Sequence, residues 1–281
     1  MSLRARAGKV RLQAAGAWRL AQEPEMGYEP DPSMMLRVGQ SPSALAIARY
    51  GKHLDLLEVR LDNGAPRKRT LEAMKSESPA GLVFAVVTPK KVASLEADLT
   101  EADVAPTVDT ARALAARWIV LRTPPTARPV VRTRARLARL IELLKAAEIA
   151  IAWEPAGLMA EAEAEEQAQA LGVTLVRDPG RDDLPEGPVA YARIQSLGAA
   201  GRVRGSAIER AADRLADFQE AYVVIEGDNA LRAAKDLRSL LGVQRGAAAA
   251  GADDELDEDD DEELEDDESD DESDEDEDEE S

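Results

Sequence analysis

Ten polar residues stand where they could do chemistry, each at or near the end of a short apolar run: Glu58, Arg60, Lys90, Arg122, Glu154, Asp178, Arg193, Gln195, Glu226 and Asp228. Glu58 and Arg193 are singled out because each lies within its run, where an unpaired charge is expensive to bury. One reading makes Glu58 and Asp178 the acid and base of a reaction, with Arg193 clamping a carboxylate or phosphate through its planar donors. The other makes Glu58 and Arg193 an ion pair that closes one end of the fold. Arg60, Lys90, Arg122, Glu154, Gln195, Glu226 and Asp228 are the ligand-binding candidates, and their mixed signs suit a small anionic or polyhydroxylated ligand. Glu58, Glu154, Asp178 and Glu226 have the chemistry for Mg²⁺ or Mn²⁺. No histidine ends a run to join them, and Glu154-Pro155 and Asp178-Pro179 read as turns, so no metal is assigned.

Composition removes whole classes of chemistry. The chain has no cysteine, which excludes disulfides, thiolate metal sites and a cysteine nucleophile. The single histidine, His53, lies in the turn before the second apolar run, at the wrong end of the strands for a Ser-His-Asp arrangement. Trp153 offers a stacking face for a sugar or base, against the plainer role of core packing. Arg132, Arg136 and Arg139 share one helix face within Arg128–Arg139. That face is either solvated, a patch for a phosphate backbone or a partner, or a transient seat for the chain's own acidic C-terminal segment.

These side chains need elements to position them. Apolar runs at Leu36–Gly39, Leu56–Leu61, Leu82–Thr88, Trp118–Thr123, Ile149–Glu154, Val173–Asp178, Val189–Gln195 and Tyr222–Glu226 have the length and β-branched content of strands buried on both faces. Helical spacing fills Ser43–Tyr50, Arg67–Ser76, Thr107–Ala116, Thr133–Ala147, Ala160–Leu171, Ser206–Gln219 and Asn229–Leu241. The sixth connection, Pro179–Pro188, is short and rich in Pro and Gly, so no full helix is expected there. Eight strands with helical crossovers predict an α/β fold, a (β/α)₈ TIM-type barrel over residues 34–243, whose polar strand ends gather at one rim. No GxGxxG or GxxxxGK[ST] follows the first strand, so no nucleotide cofactor is implied.

The net charge of −21 is unevenly placed. Residues 252–281 hold 24 of the 56 acids and no Lys or Arg, leaving 32 acids against 35 Lys and Arg elsewhere. A run that repels itself and has almost nothing apolar to bury is expected to be disordered, so 244–281 reads as a polyacidic tail behind an Ala/Gly hinge. It would repel nucleic acid and attract a basic protein partner. Residues 1–33 read as a flexible leader with a short helix around Val10–Leu20, or as a segment packed across the bottom of the domain. The N-terminus lacks the apolar core of an export signal and no run of about 18 apolar residues occurs, which with the missing cysteines predicts a cytoplasmic protein away from membranes.

The strand ends carry a family resemblance. Leu36-Arg37-Val38-Gly39, Leu57-Glu58-Val59-Arg60, Phe84 through Lys90, Val120 through Pro125, Tyr191-Ala192-Arg193-Ile194 and Tyr222 through Ile225 resemble, in order and spacing, the YecE-like family, the domain of unknown function numbered seventy-two. The resemblance covers roughly residues 35–242 and implies a TIM-type barrel. Departures fall on the polar positions. Gly39-Gln40-Ser41-Pro42 stands in place of a Thr-Ser-Gly-Trp motif, Arg60 in place of an Asn, Gln195 in place of a His, and Glu226-Gly227 in place of paired Asn. A diverged, non-catalytic binding scaffold with an acidic interaction tail is therefore the first expectation. An enzyme for a small phosphorylated or sugar-like substrate is the alternative, and a nucleic-acid-processing factor using the Arg128–Arg139 face ranks third.

Overall fold

A computed structural model describes residues 34–41, 46–156, 161–196 and 201–243. The leader and the acidic tail lie outside the described residues. The strands are β1 (Met35–Gln40), β2 (Leu56–Arg60), β3 (Val83–Val87), β4 (Trp118–Arg122), β5 (Ala150–Glu154), β6 (Thr174–Leu175), β7 (Val189–Gln195) and β8 (Glu220–Glu226). The helices are α1 (Ile47–His53), α2 (Lys68–Glu77), α3 (Lys90–Ala93), α4 (Glu101–Leu114), α5 (Val131–Lys145), α6 (Glu161–Leu171), α7 (Gly205–Leu215) and α8 (Ala230–Leu240). Every strand pairing is parallel. The chain is a TIM-type barrel, and its sixth crossover carries no helix.

The ladder runs in two arcs, β2-β3-β4-β5-β6 and β7-β8-β1. Side chains help to close both seams. Between β1 and β2, Asp55 N–H donates to Val38 C=O at 3.0 Å, while Val38 N–H donates to Asp55 Oδ1 at 2.6 Å. The Tyr50 hydroxyl accepts from Gln40 N–H at 2.9 Å and donates to Leu56 C=O at 2.5 Å. It thus stands between two peptide groups that would otherwise pair directly. The approach is close: a Cβ on Gly39 would sit 2.1 Å from Leu56 O, which only glycine tolerates. Between β6 and β7, Arg193 N–H donates to Arg177 C=O at 3.0 Å and Gln195 N–H to Asp178 Oδ2 at 3.2 Å. Tyr50→Phe leaves the half-buried Gln40 N–H and the buried Leu56 C=O without their partner, so it lowers unfolding free energy by about 1–3 kcal/mol, measurable by chemical denaturation.

Strand alternation sorts the core. Leu56, Ala85, Val87, Trp118, Val120, Ala152, Val176, Tyr191, Tyr222 and Val224 fill the barrel interior. The interior is more aromatic than a chain with 3% aromatics suggests. Trp118 meets Tyr191 and Tyr222 edge-on, with ring centroids 5.4 and 5.3 Å apart. The opposite faces pack under the helices, with Ala190, Ala192, Ile194, Val223 and Ile225 in one layer and Val59, Val86, Ile119, Leu121 and Trp153 in the other.

Several boundaries differ from the sequence reading, and helix α3 was not anticipated there. Helix α1 spans Ile47–His53, later than Ser43–Tyr50, and residues 42–45 lie outside the described residues. Strand β6 shrinks to Thr174–Leu175 with a single bridge from Arg177 to Ala192, and beyond it Asp178 contributes its side chain to the seam. Helix α4 starts at Glu101, where Thr100 N–H donates to Asp103 Oδ2 at 2.8 Å as half of a capping box, and Pro106 lies inside the helix. It ends on Ala115 with φ of 50°, a conformation that favours glycine. Ala115→Gly should therefore raise stability by about 0.5–1 kcal/mol, seen as a higher denaturant midpoint at unchanged slope.

Candidate functional site at the rim of the barrel

Period-two alternation turns Glu58 on β2, Arg122 on β4, Glu154 on β5, Arg193 on β7 and Glu226 on β8 toward the barrel axis, and their side chains meet in one hydrogen-bonded network. Arg193 is its centre. Its Nη2 and Nη1 donate to Glu58 Oε1 and Oε2 at 2.6 and 3.1 Å, its Nε to Glu154 Oε2 at 2.7 Å, and its Nη1 also to Glu226 Oε1 at 3.0 Å. Arg122 donates to Glu226 Oε1 at 2.9 Å and Glu154 Oε1 at 3.0 Å. From below, the Tyr191 hydroxyl donates to Glu58 Oε1 at 2.8 Å.

Depth divides the network. The side chains of Glu58 and Arg193 are 1% and 2% exposed, whereas Arg122 and Glu226 are about one-fifth exposed. Burial alone would push the Glu58 carboxyl up, but the Arg193 guanidinium and the Tyr191 hydroxyl hold it below the ordinary carboxylate value. Burial also works against the charged form of Arg193, yet Glu58 and Glu154 keep it firmly protonated. Burial, reinforced by the Glu58 charge, drives the Tyr191 phenol well above its ordinary value, so it stays protonated and keeps the proton it donates to Glu58.

Asp178 stands at the flank. Its Oδ1 accepts from Gly180 N–H at 2.9 Å, and its Oδ2 accepts from Gln195 N–H and pairs with Arg181 at 3.3 Å. Burial raises its carboxyl pKa even though these donors pull the other way. Asp178 shares with Glu154, Arg193, Gln195, Arg177 and Arg181 a cleft of about 310 Å³ at the ends of β5 to β7. Glu58 is not on its wall. Arg60 pairs with Asp62 at 3.6 Å, and Lys90 N–H donates to the same carboxylate at 3.0 Å, so these two form a separate cluster after β2 and β3. Asp228 lies in the loop after β8, its N–H bonded to Gly201 C=O at 2.8 Å.

Several participants were not among the candidates. Tyr191 stands two residues before Arg193 on the same strand face, and that spacing was the available signal. Arg177 and Arg181 line the cleft from just past β6; Arg177 lay inside the sixth apolar run, whereas nothing local marks Arg181. Trp153 is 1% exposed in the wall of the barrel, its indole N–H donating to Thr123 Oγ1 at 3.3 Å. His53 ends α1 at the opposite end of the barrel, where its C=O accepts from Arg238. On α5, Arg134 pairs with Glu163 and Arg136 with Asp98 at 2.7 Å, while Arg132 and Arg139 on the helix and Arg128 in the loop before it are exposed. Among the described residues, no group of three or more His, Asp or Glu is placed to hold a metal ion, and no helix is long and apolar enough to cross a membrane.

The sequence matches no family model and no curated protein. Solved structures do match. A DUF72 family protein from Enterococcus faecalis V583 superposes with a TM-score of 0.61 at 15% identity, over 75% of this chain and 99% of that one. A DUF72 family protein from Thermotoga maritima MSB8 gives 0.55 at 17% identity, over 74% and 99%. A xylose isomerase domain containing protein from Salmonella typhimurium LT2 gives 0.50 at 12% identity, over 75% and 95%. Strand count, parallel order and these superpositions agree: the chain has the TIM-barrel fold seen in the DUF72 family proteins.

Proposed function

We propose that the chain is a diverged YecE-like barrel of the cytoplasm that acts by binding, with residues 252–281 as an arm for a basic protein partner. The observation that carries this reading is the saturation of Glu58. A general acid or base must reach the proton it moves and hold a pKa near the working pH. Glu58 instead takes three hydrogen bonds from Arg193 and Tyr191, lies beneath Arg193, and is held ionised. The departures from the family pattern at Arg60, Gln195 and Glu226 point the same way. Affinity capture with the full chain and with a chain ending at residue 251 tests it. Basic partners held by the full chain and lost without residues 252–281 support the reading, and partners indifferent to the tail sink it.

A second reading has its own support. The cleft beside Asp178 brings Arg177, Arg181 and Gln195 together with Glu154, donors and acceptors suited to a phosphorylated or sugar-like ligand. A D-psicose 3-epimerase shares the fold with a TM-score of 0.50. Under this reading a panel of sugar phosphates raises the melting temperature of the chain, and Arg181→Ala abolishes the shift. A flat response across the panel removes it.

A further inference from the structure

The helix missing from the sixth crossover leaves part of the barrel wall uncovered. Between the C-terminal half of α6 and the start of β7 runs a groove of about 750 Å³. Gln169, Val173, Leu184 and Val189 form its walls, and the exposed Glu165 and Glu186 lie along it. A helix after β6 would ordinarily cover this surface. The chain enters the barrel close by: Met35 N–H donates to Gln219 C=O at 2.8 Å, Gln219 N–H donates to Pro188 C=O at 3.0 Å, and Pro188 is itself part of the groove.

The residues preceding that entry point match the groove in pattern and in charge. Val10, Ala14, Ala17, Trp18 and Ala21 recur at i, i+4, i+7, i+8 and i+11, which on a helix is one apolar stripe. Residues 1–22 carry five Lys or Arg and no Asp or Glu, opposite in sign to Glu165 and Glu186. The residues between Ala21 and Met34 span up to about 40 Å when extended, enough to pass from β1 beyond β8 and β7. We propose that residues 10–21 of this chain dock in the groove between α6 and β7, apolar stripe inward, and occupy the place of the missing crossover helix. Small Ala side chains allow close approach to the wall, Trp18 supplies the bulk that fills the groove, and Arg11, at the edge of the stripe, brings positive charge beside the two glutamates.

The absence of cysteine makes the test clean. In the full chain, Ala17→Cys paired with Gln169→Cys on the groove wall is treated with a short thiol crosslinker. Ala17→Cys paired with Ser239→Cys, exposed near the end of α8 at the same end of the barrel, is the control. The docked arrangement gives an intramolecular crosslink at least ten-fold faster in the first pair than in the second, and adding Trp18→Glu removes the advantage. Hydrogen exchange provides a second readout: Trp18→Glu in the otherwise native chain speeds exchange at Val173–Leu175 and Val189–Ala190 and leaves β3 and β4 unchanged. Equal rates in the two pairs, or a Trp18→Glu chain with unaltered exchange, overturn the proposal. So do crosslinks found only between two chains, which would make the groove an interface between copies. Crosslinking seen only after deletion of residues 252–281 overturns it too, because the leader would then be held by the acidic tail.

Discussion

Arg193→Met should melt about 6–20 °C below the native chain, the largest single loss at the rim. Methionine fills much of the same space but takes four charge-assisted hydrogen bonds from Glu58, Glu154 and Glu226. Glu58 is then a buried carboxylate with Tyr191 below it and no cation against it. Removing one partner of a buried pair costs about 3–5 kcal/mol, and each kcal/mol moves the melting point of a barrel of this size by about 2–4 °C. The penalty belongs to the stranded charge, so Glu58→Gln added to Arg193→Met should recover much of the loss; a double-mutant cycle measures the coupling. An additive cycle rejects the pairing. The acid limb gives an independent check. Glu58 titrates below its ordinary value of 4.5 in the folded chain, so its contribution is complete above that pH and is lost as pH falls through the lower, folded value. Glu58→Gln should therefore flatten the decline of stability below pH 4.5 while leaving the neutral-to-alkaline limb unaltered, as read from denaturant midpoints across a pH series.

Asp55→Ala is the second large effect, at the opposite end of the barrel. Asp55 is 4% exposed and its Oδ1 accepts from Val38 N–H at 2.6 Å and from Arg238 Nη2 at 3.0 Å, while Arg37 lies 3.5 Å from Oδ2. One carboxylate thus ties β1 to the start of β2 and anchors α8 to both. Alanine leaves two guanidinium groups without their counter-charge and one buried N–H without an acceptor, an expected loss of about 3–5 kcal/mol. Asp55→Asn retains an acceptor for Val38 and should lose less. Equal losses for the two replacements, in matched urea titrations, would show that the retained acceptor contributes nothing and the charge carries the whole effect.

The strands were legible because a parallel strand buried on both faces is written as a continuous apolar run; Trp118–Arg122 and Val189–Gln195 are found almost to the residue. The rim was legible for the same reason, since a polar residue inside such a run must lie where the wall ends. Which rim residues touch was not legible. Arg122 and Glu226 lie 104 residues apart, and nothing local couples them. Asp178 ends its run as Glu154 does, yet its carboxylate serves the seam and the following turn, because the chain leaves β6 after two residues and its backbone cannot complete the ladder. Tyr50 sits in a helix by pattern, so its place as a spacer between two strands depends on the barrel's closure. Helix α4 carried its start signal in Thr100 and Asp103, but Pro106 breaks the pattern from within.

Closure by side chains has a mechanical meaning. An unbroken ladder fixes the girth of a cylinder through peptide geometry, whereas here two arcs meet along lines where a phenol and two carboxylates stand in for peptide groups. Those lines are the hinges along which the wall would part, each arc moving as a stiff plate. Glu58, Arg122 and Glu154 ride on one plate, Arg193, Tyr191 and Glu226 on the other. The charged network therefore works as a clasp across the mouth: undoing it frees the two plates to separate, and fastening it draws them shut.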